Sequence, residues 1–227
     1  MRGFSSLAIV LALGSVASAA AITQTQNFNG TPNFNSVLTF QEFDDQSGSL
    51  TLQSIEVIFS VTVTGGQLVL DNDGDDPASG TFEFGAKGSI SSTDVSLVDG
   101  SSQPVTDELE SIHSQAFSLD GNVGDGSGDY DPSSPDGMSY DGGTENDSDS
   151  GFVGSHVFGQ YTGTSTYDIT ASLSQWQDFG GISGIEWAVS PVSASGSVRV
   201  IYNYIPEPAS LGLLCLGGLA LIRRRRR

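Results

Sequence analysis

Residues 54–72 read SIEVIFSVTVTGGQLVLDN, and the alternation within them decides the architecture. Ile55, Val57, Phe59, Val61 and Val63 share one face of an extended chain, with mostly polar residues between them. That is the pattern of a half-buried strand. Gly65-Gly66 reads as a hairpin turn into Gln67–Asn72, because glycine accepts the positive φ such turns require. Further strands are predicted at 36–43, 80–90, 94–99, 114–120, 155–163, 166–173, 184–190 and 196–204, short apolar or alternating runs between Gly, Ser, Asn and Asp turns. No stretch sustains a long 3.6-residue period, and TDELESIHSQ (106–115) offers at most one short helix or a connecting turn. Many short strands with such turns specify an all-β protein, an antiparallel β-sandwich of jelly-roll-like or Ig-like kind.

Residues 120–151 stand apart, with nine acids, no basic residue and few apolar ones. Such a segment buries too little surface to offset its own ordering entropy. It reads as a long acidic loop insertion, flexible unless a cation orders it. Between residues 22 and 206 the chain carries only Lys87 and Arg199 as bases, against 26 acids. A surface so negative repels nucleic acid and anionic membranes and favours cations or basic partners. DNA and RNA binding are excluded on this ground.

Both ends of the chain carry addresses. MRGFSSLAIVLALGSVASAA (1–20) places one basic residue, an apolar run and then small residues in order. This is the pattern of a secretory signal peptide over residues 1–21, cut after Ala19 or Ala21; a buried N-terminal helix is the blander alternative. The mature domain is then 22–204. At the other end, 14 uncharged residues from Ala209 to Ile222 reach about 21 Å as a helix at ~1.5 Å per residue. That is short for a hydrocarbon core ~30 Å thick. Arg223, Arg224, Arg225, Arg226 and Arg227 follow and resist translocation, so the tail is a stop that halts the exported chain in the inner membrane. Just outside it, Pro206-Glu207-Pro208 is extended and accessible, since proline disfavours helix at its own position and the one before.

Tripeptide, apolar run and terminal arginines in that order resemble the PEP-CTERM sorting signal of Gram-negative and related bacteria. The resemblance covers residues 205–227. It implies recognition by a membrane protease-transpeptidase of the exosortase type, removal of the arginine tail, and residence at the cell surface or in exopolysaccharide matrix. The alternative is an ordinary C-terminal membrane anchor. NSVLTFQEFDDQSGSLTLQSIEVIFSVTVTGGQLVLDN (35–72) resembles the opening of the choice-of-anchor E domain, with Phe43-Asp44 and Gly48-Ser49-Leu50 in its Phe-Asp and Gly-Ser-Leu positions. YTGTSTYDITASL and SGSVRVIYNYIPEP resemble its closing strands. This resemblance implies a β-rich surface module and brings no catalytic residues with it.

The search for chemistry finds little. No Gly-x-Ser-x-Gly elbow occurs, and the only histidines, His113 and His156, lie in no local motif and read as incidental surface or edge residues. Cys215, the single cysteine, sits in the terminal apolar run, so the exported domain has neither disulfide nor thiol nucleophile. Abundant acids make any one carboxylate pair uninformative for glycoside hydrolysis. DNDGDD sets Asp71, Asp73 and Asp75 at alternate positions, where oxygens wrap a calcium ion; with Phe82 at the twelfth position it is no EF-hand. Asp125, Asp129 and Asp131 offer a weaker second calcium site. For both loops the plainer reading is a solvated acidic turn. Trp176, Trp187, Tyr161 and Tyr167 offer a sugar-stacking platform, against the commoner role of core aromatics. The sequence thus describes an exported, non-enzymatic surface or matrix protein, with a carbohydrate-binding or carbohydrate-active module as the alternative.

Overall fold

The computed structural model describes residues 18–124 and 130–207. The predicted signal peptide up to residue 17, Asp125 and Asp129, and the tail from Pro208 onward lie outside the described residues. Eleven strands occur among the described residues: β1 (Ala20–Gly30), β2 (Phe34–Gln41), β3 (Leu50–Thr64), β4 (Gln67–Asn72), β5 (Ala78–Ser91), β6 (Leu109–Leu119), β7 (Gly137–Asp141), β8 (Thr144–Phe152), β9 (Thr166–Asp178), β10 (Ile185–Val189) and β11 (Ser193–Pro206). They form three antiparallel sheets, ordered β1-β11-β3-β8, β10-β4-β7 and β2-β9-β5-β6. The molecule is all-β and sandwich-like, as the alternation in β3 requires.

The predicted hairpin at Gly65-Gly66 is not there. β3 and β4 do not pair with each other; they are one strand passing through a corner. β3 meets β8 at Thr64↔Thr144, and β4 meets β7 at Gln67↔Asp141, so the register carries across unbroken. The ladder continues through the corner, with Gly65 N–H donating to the Gly143 carbonyl (2.9 Å) and Gly142 N–H to the Gly66 carbonyl (2.8 Å). On the other side, Ser193↔Thr64 and Val189↔Leu68 keep a second register through the same bend. Gly65 and Gly66 have φ of 72° and 82°, a conformation that turns the strand direction and that residues with a Cβ rarely adopt. The first two sheets are therefore one long ribbon, folded at a glycine corner.

Residues 120–151 need a second correction. β7 and most of β8 lie inside the segment predicted as a flexible loop, and β8 pairs with β3 from Glu56↔Phe152 to Thr64↔Thr144. β7 packs Met138 and Tyr140 against the core, while β8, which has no apolar face, is held by its ladder and by its carboxylates. Asp149 accepts the Asp107 N–H (2.7 Å), and Asp147 accepts the Glu110 N–H (2.7 Å), at the edge where β6 approaches. The opposite edge closes with amides. Gln24 of β1 donates to the Gln41 carbonyl (2.9 Å) and accepts the Gln41 N–H (2.8 Å), while Gln26 donates to the Thr39 carbonyl (3.0 Å). Side chains thus satisfy backbone groups that open sheet edges would leave to other chains.

Smaller differences follow from the same causes. Residues 106–115 hold no helix; β6 runs through them with Leu109, Ser111, His113, Phe117 and Leu119 buried, an alternation that inward Ser111 and His113 disguise. Ser155–Gln160 is a 3-10 helix rather than a strand, and 94–99 contributes a single bridge, Val98↔Pro104. β1, whose burial is slight, was not predicted, and it starts before residue 22 just as β11 runs past residue 204.

The core lies between the β11-β3 and β9-β5 layers, with Ile55, Val57, Phe59 and Val63 fully buried against Phe40, Phe84, Ile169 and Ala171. A hydroxyl pair ties the layers together. Tyr202 of β11 donates to the Gln41 carbonyl (3.1 Å), which leaves Tyr167 of β9 to donate to the Tyr202 oxygen (2.7 Å). Burial pushes the Tyr202 phenol up to about 12 and raises Tyr167 further, so both stay protonated as donors.

The glycine corner is testable. A Cβ on Gly66 would lie 2.7 Å from Cγ1 of Val192, in addition to the strain of a positive φ. Gly66→Ala is expected to cost about 1–3 kcal/mol, read as a lower urea midpoint at unchanged m-value.

Candidate functional site

The sorting tripeptide begins inside the sheet. Pro206, the last residue of β11, stands opposite Leu50 of β3, and the Glu207 N–H donates to the Ser49 carbonyl (2.8 Å). Register shifts by one residue between Asn203 and Tyr204, and the Tyr204 ring packs 5.5 Å from that of buried Phe43. The receiving side is a tight turn. Gly48 and Leu50 N–H groups both donate to the Asp45 carbonyl (3.1 and 3.0 Å). The carboxylates of Asp44 and Asp45 accept the N–H groups of Gln46 (2.8 Å) and Ser47 (3.0 Å). Gln46, Ser47 and Gly48 all have positive φ, which local side-chain hydrogen bonds make tolerable. The described part of the motif is extended, as predicted, with Pro206 half-buried and Glu207 exposed. Pro208, the apolar run and Arg223 to Arg227 lie outside the described residues. Among the described residues no helix is long and apolar enough to cross a membrane.

The predicted calcium residues occupy an acidic corner at the end of β4. They stand at three depths: Asp71 is buried, Asp73 half-buried and Asp75 exposed. Among the described residues no three His, Cys, Asp or Glu side chains are grouped to hold a metal ion. The corner is organised instead by a residue that sequence reasoning passed over. Asn72, also buried, donates to the carbonyls of Asp76 (2.9 Å) and Asp120 (2.7 Å) and accepts the Gly74 N–H (3.0 Å). Its own N–H donates to the Asp136 carbonyl (2.9 Å). Asp136, fully buried, accepts the Val123 N–H (2.7 Å) and the Ser134 hydroxyl. These bonds, the hydroxyl first, hold its carboxyl below the usual carboxylate range. Asp131 is lowered in the same way by the Ser133 hydroxyl and N–H.

The four aromatic residues do not form one platform. Tyr161 and Tyr167 are core residues. Trp176 lies on β9 beneath the Lys87 ammonium, 3.8 Å from the ring centroid, and Lys87 also pairs with Glu110. Trp187, on β10, is 39 % exposed and packs 4.0 Å from the Phe179 ring. It roofs a cleft of about 210 Å³ walled by Phe82, Phe117, Phe179 and Ile182, with no polar side chain in its lining. His113 lies on edge strand β6, yet its imidazole is buried beside the Phe84 ring at 5.0 Å, and 3.8 Å from Glu145. That overturns a surface reading for this histidine, while His156 is exposed. No described hydroxyl nucleophile is hydrogen-bonded to either ring.

Residues 205–227 match the PEP-CTERM protein-sorting motif. The match implies that the chain is exported, associated with the cell surface and processed by exosortase. No curated protein matches the chain. Among solved structures, infectious bursal disease virus, Gx strain, is similar at 13 % identity over 98 % of this chain and 54 % of that one, with a TM-score of 0.17. The empty head of turnip yellow mosaic virus is similar at 10 % identity over 90 % of this chain and 91 % of that one, with a TM-score of 0.13. The chain spans about half the length of the infectious bursal disease virus chains it matches. At such scores neither likeness bears on function.

The acidic corner predicts a pH response. A lowered carboxyl stabilises the fold fully above the ordinary carboxylate range, and that contribution fades as pH falls through the lowered value. Asp136→Asn is therefore expected to melt lower at neutral pH and to lose less on acidification below about pH 4 than the parent. Melting curves of the two proteins between neutral and acid pH read the difference.

Proposed function

We propose that this protein is a non-enzymatic surface or matrix module of the choice-of-anchor E kind, delivered by its C-terminal signal and associated with exopolysaccharide. The observation that carries the reading is the continuity between the sandwich and its sorting tail. β11 enters the matched motif without a spacer, so the domain and its address form one unit. In processing, a peptide C–N bond at the motif breaks and the acyl group passes to an acceptor amine, hydroxyl or water. The leaving amine takes up a proton and carries off the arginine tail. Phe43, buried against Tyr202 and Tyr204, and the turn at Gly48-Ser49-Leu50 are the residues on which the choice-of-anchor resemblance rests.

For matrix association, the supporting feature is a shallow trough of about 550 Å³ on the outer face of β1, β11 and β3. Asn27, Asn29, Ser60, Ser195 and Ser197 line it, offering neutral donors and acceptors to polymer hydroxyls. Arg199, one of two bases in the domain, lies two residues along the same strand face as Ser197. The alternative, a carbohydrate-binding or carbohydrate-active cleft, has less support, because the aromatic cleft under Trp187 lacks the polar side chains that orient a sugar. Calcium enters the proposal as a loosely held bridging counter-ion of an acidic surface rather than as a caged ion at Asp71, Asp73 and Asp75.

Intact mass of the protein recovered from the cell envelope and medium tests the sorting reading. The expected species begins at Ala20, since a cut after Ala19 keeps every β1 rung down to Ala20↔Tyr204, and ends near Pro206 to Pro208, with or without an added group. A species that retains Cys215 and the five arginines would make the tail a permanent anchor.

A further inference from the structure

The sorting motif is embedded in the fold that it delivers. Among the described residues Glu207 makes the last rung, against Ser49, and the apolar run starts at Ala209. One residue, Pro208, separates them, a reach of about 7 Å for two extended steps. A protease holds its substrate as an extended strand with groups on both sides of the scissile bond. Here the residues upstream of the motif are already strand-paired: Tyr204 with Leu52, Ile205 with Thr51 and Pro206 with Leu50. β11 is also flanked by β1 on its other side, up to Tyr204↔Ala20. A processing site cannot take up Tyr204 while both neighbours hold it, nor the side of Ile205 and Pro206 that is already paired with β3.

The order of export sharpens the conflict. β11 is the last strand among the described residues, yet it lies between β1 and β3. The first sheet cannot close until residues up to Pro206 have crossed the membrane, which is when the tail comes to rest in it. We propose that processing and the final zipping of β11 compete for the same residues. The tail is cut while Tyr204–Glu207 is out of the sheet, and pairing with Ser49–Leu52 protects any chain that folds first. The Asp44–Leu50 turn, stiffened by two carboxylates and three positive-φ residues, is the clasp that holds the motif. The idea rests on the sorting reading above and adds an order of events to it.

The test is pulse-chase processing of the full chain in its own host, with a flexible eight-residue Gly/Ser spacer inserted between Tyr204 and Ile205. The spacer leaves residues 205–227 whole and frees them from the ladder. Conversion from precursor to product is expected to quicken about tenfold, in line with release of a local opening step. A second variant, Thr51→Cys with Ile205→Cys, joins register partners. When oxidised it is expected to accumulate as precursor, and when reduced to be processed at the parental rate. Equal rates for parent, spacer variant and oxidised cysteine pair would overturn the competition. Replacing Pro206, Glu207 and Pro208 with alanine separates the two claims. If that change leaves processing intact, the sorting reading itself fails; if it abolishes processing while spacer and cross-link have no effect, only the competition fails.

Discussion

The ladder between β3 and β11 is the interaction on which the remaining structure hangs. It runs from Ser193↔Thr64 to Pro206↔Leu50 and continues round the glycine corner as β10 on β4. β1 is added to one side of it and β8 to the other. Its inward residues, Val57, Phe59, Val61, Val198 and Val200, supply one wall of the core. Antiparallel pairing satisfies the backbone groups that the two strands turn toward each other, and β1 and β8 meet those on the outer sides along their own rungs. Burial of one face fixes the register, because a slip of one residue would turn the whole apolar set outward. The same ladder carries the sorting motif at its far end. Core, corner and address are thereby set by one pairing of strands distant in sequence.

Acidic residues serve the fold in a way that net charge conceals. With 26 acids and two bases in the exported stretch, ion pairs cannot be the main use of carboxylates. They act instead as acceptors for backbone N–H groups. Asp44, Asp45, Asp99, Asp131 and Asp136 do this in turns, and Asp147 and Asp149 do it along the seam with β6. A hydrogen bond to an ionised carboxylate is stronger than one between neutral groups. Each such aspartate satisfies an amide that lacks a ladder partner. The repulsion among so many like charges is the accompanying cost, and it explains why the protein's acidity is spread over edges and turns while the core wall stays apolar.

Position and function meet at one end of the sandwich. The first residues of β1 and the last of β11 are register partners, so the start of the described strands and the sorting motif lie side by side. The glycine corner and the acidic corner lie at the opposite end of the β3–β4 strand from the sorting motif. The trough of Asn and Ser side chains lies on the outer face of the same sheet, clear of the turn at Asp44–Leu50 that holds the motif.

What the sequence determined by itself was whatever is encoded in side-chain period or in linear order. The inward Ile55-to-Val63 set made β3 a strand and the protein all-β, and the order of proline, apolar run and arginines marked the tail. Neither depends on a distant partner. Tertiary structure alone decided the rest, because the controlling groups are brought together from far apart. Gly65-Gly66 has the chemistry of a turn, yet the neighbouring strands on both sides hold it in register as a corner. Residues 137–152 have only Met138 and Tyr140 as an apolar face, and become strands because β3 and β4 offer a ladder and the chain at the start of β6 offers the Asp107 and Glu110 amides to Asp149 and Asp147. Asn72 looks like any loop asparagine until the Asp76, Asp120 and Asp136 carbonyls surround it. Periodicity records which face a residue turns to the core; it carries no record of which backbone will stand beside it.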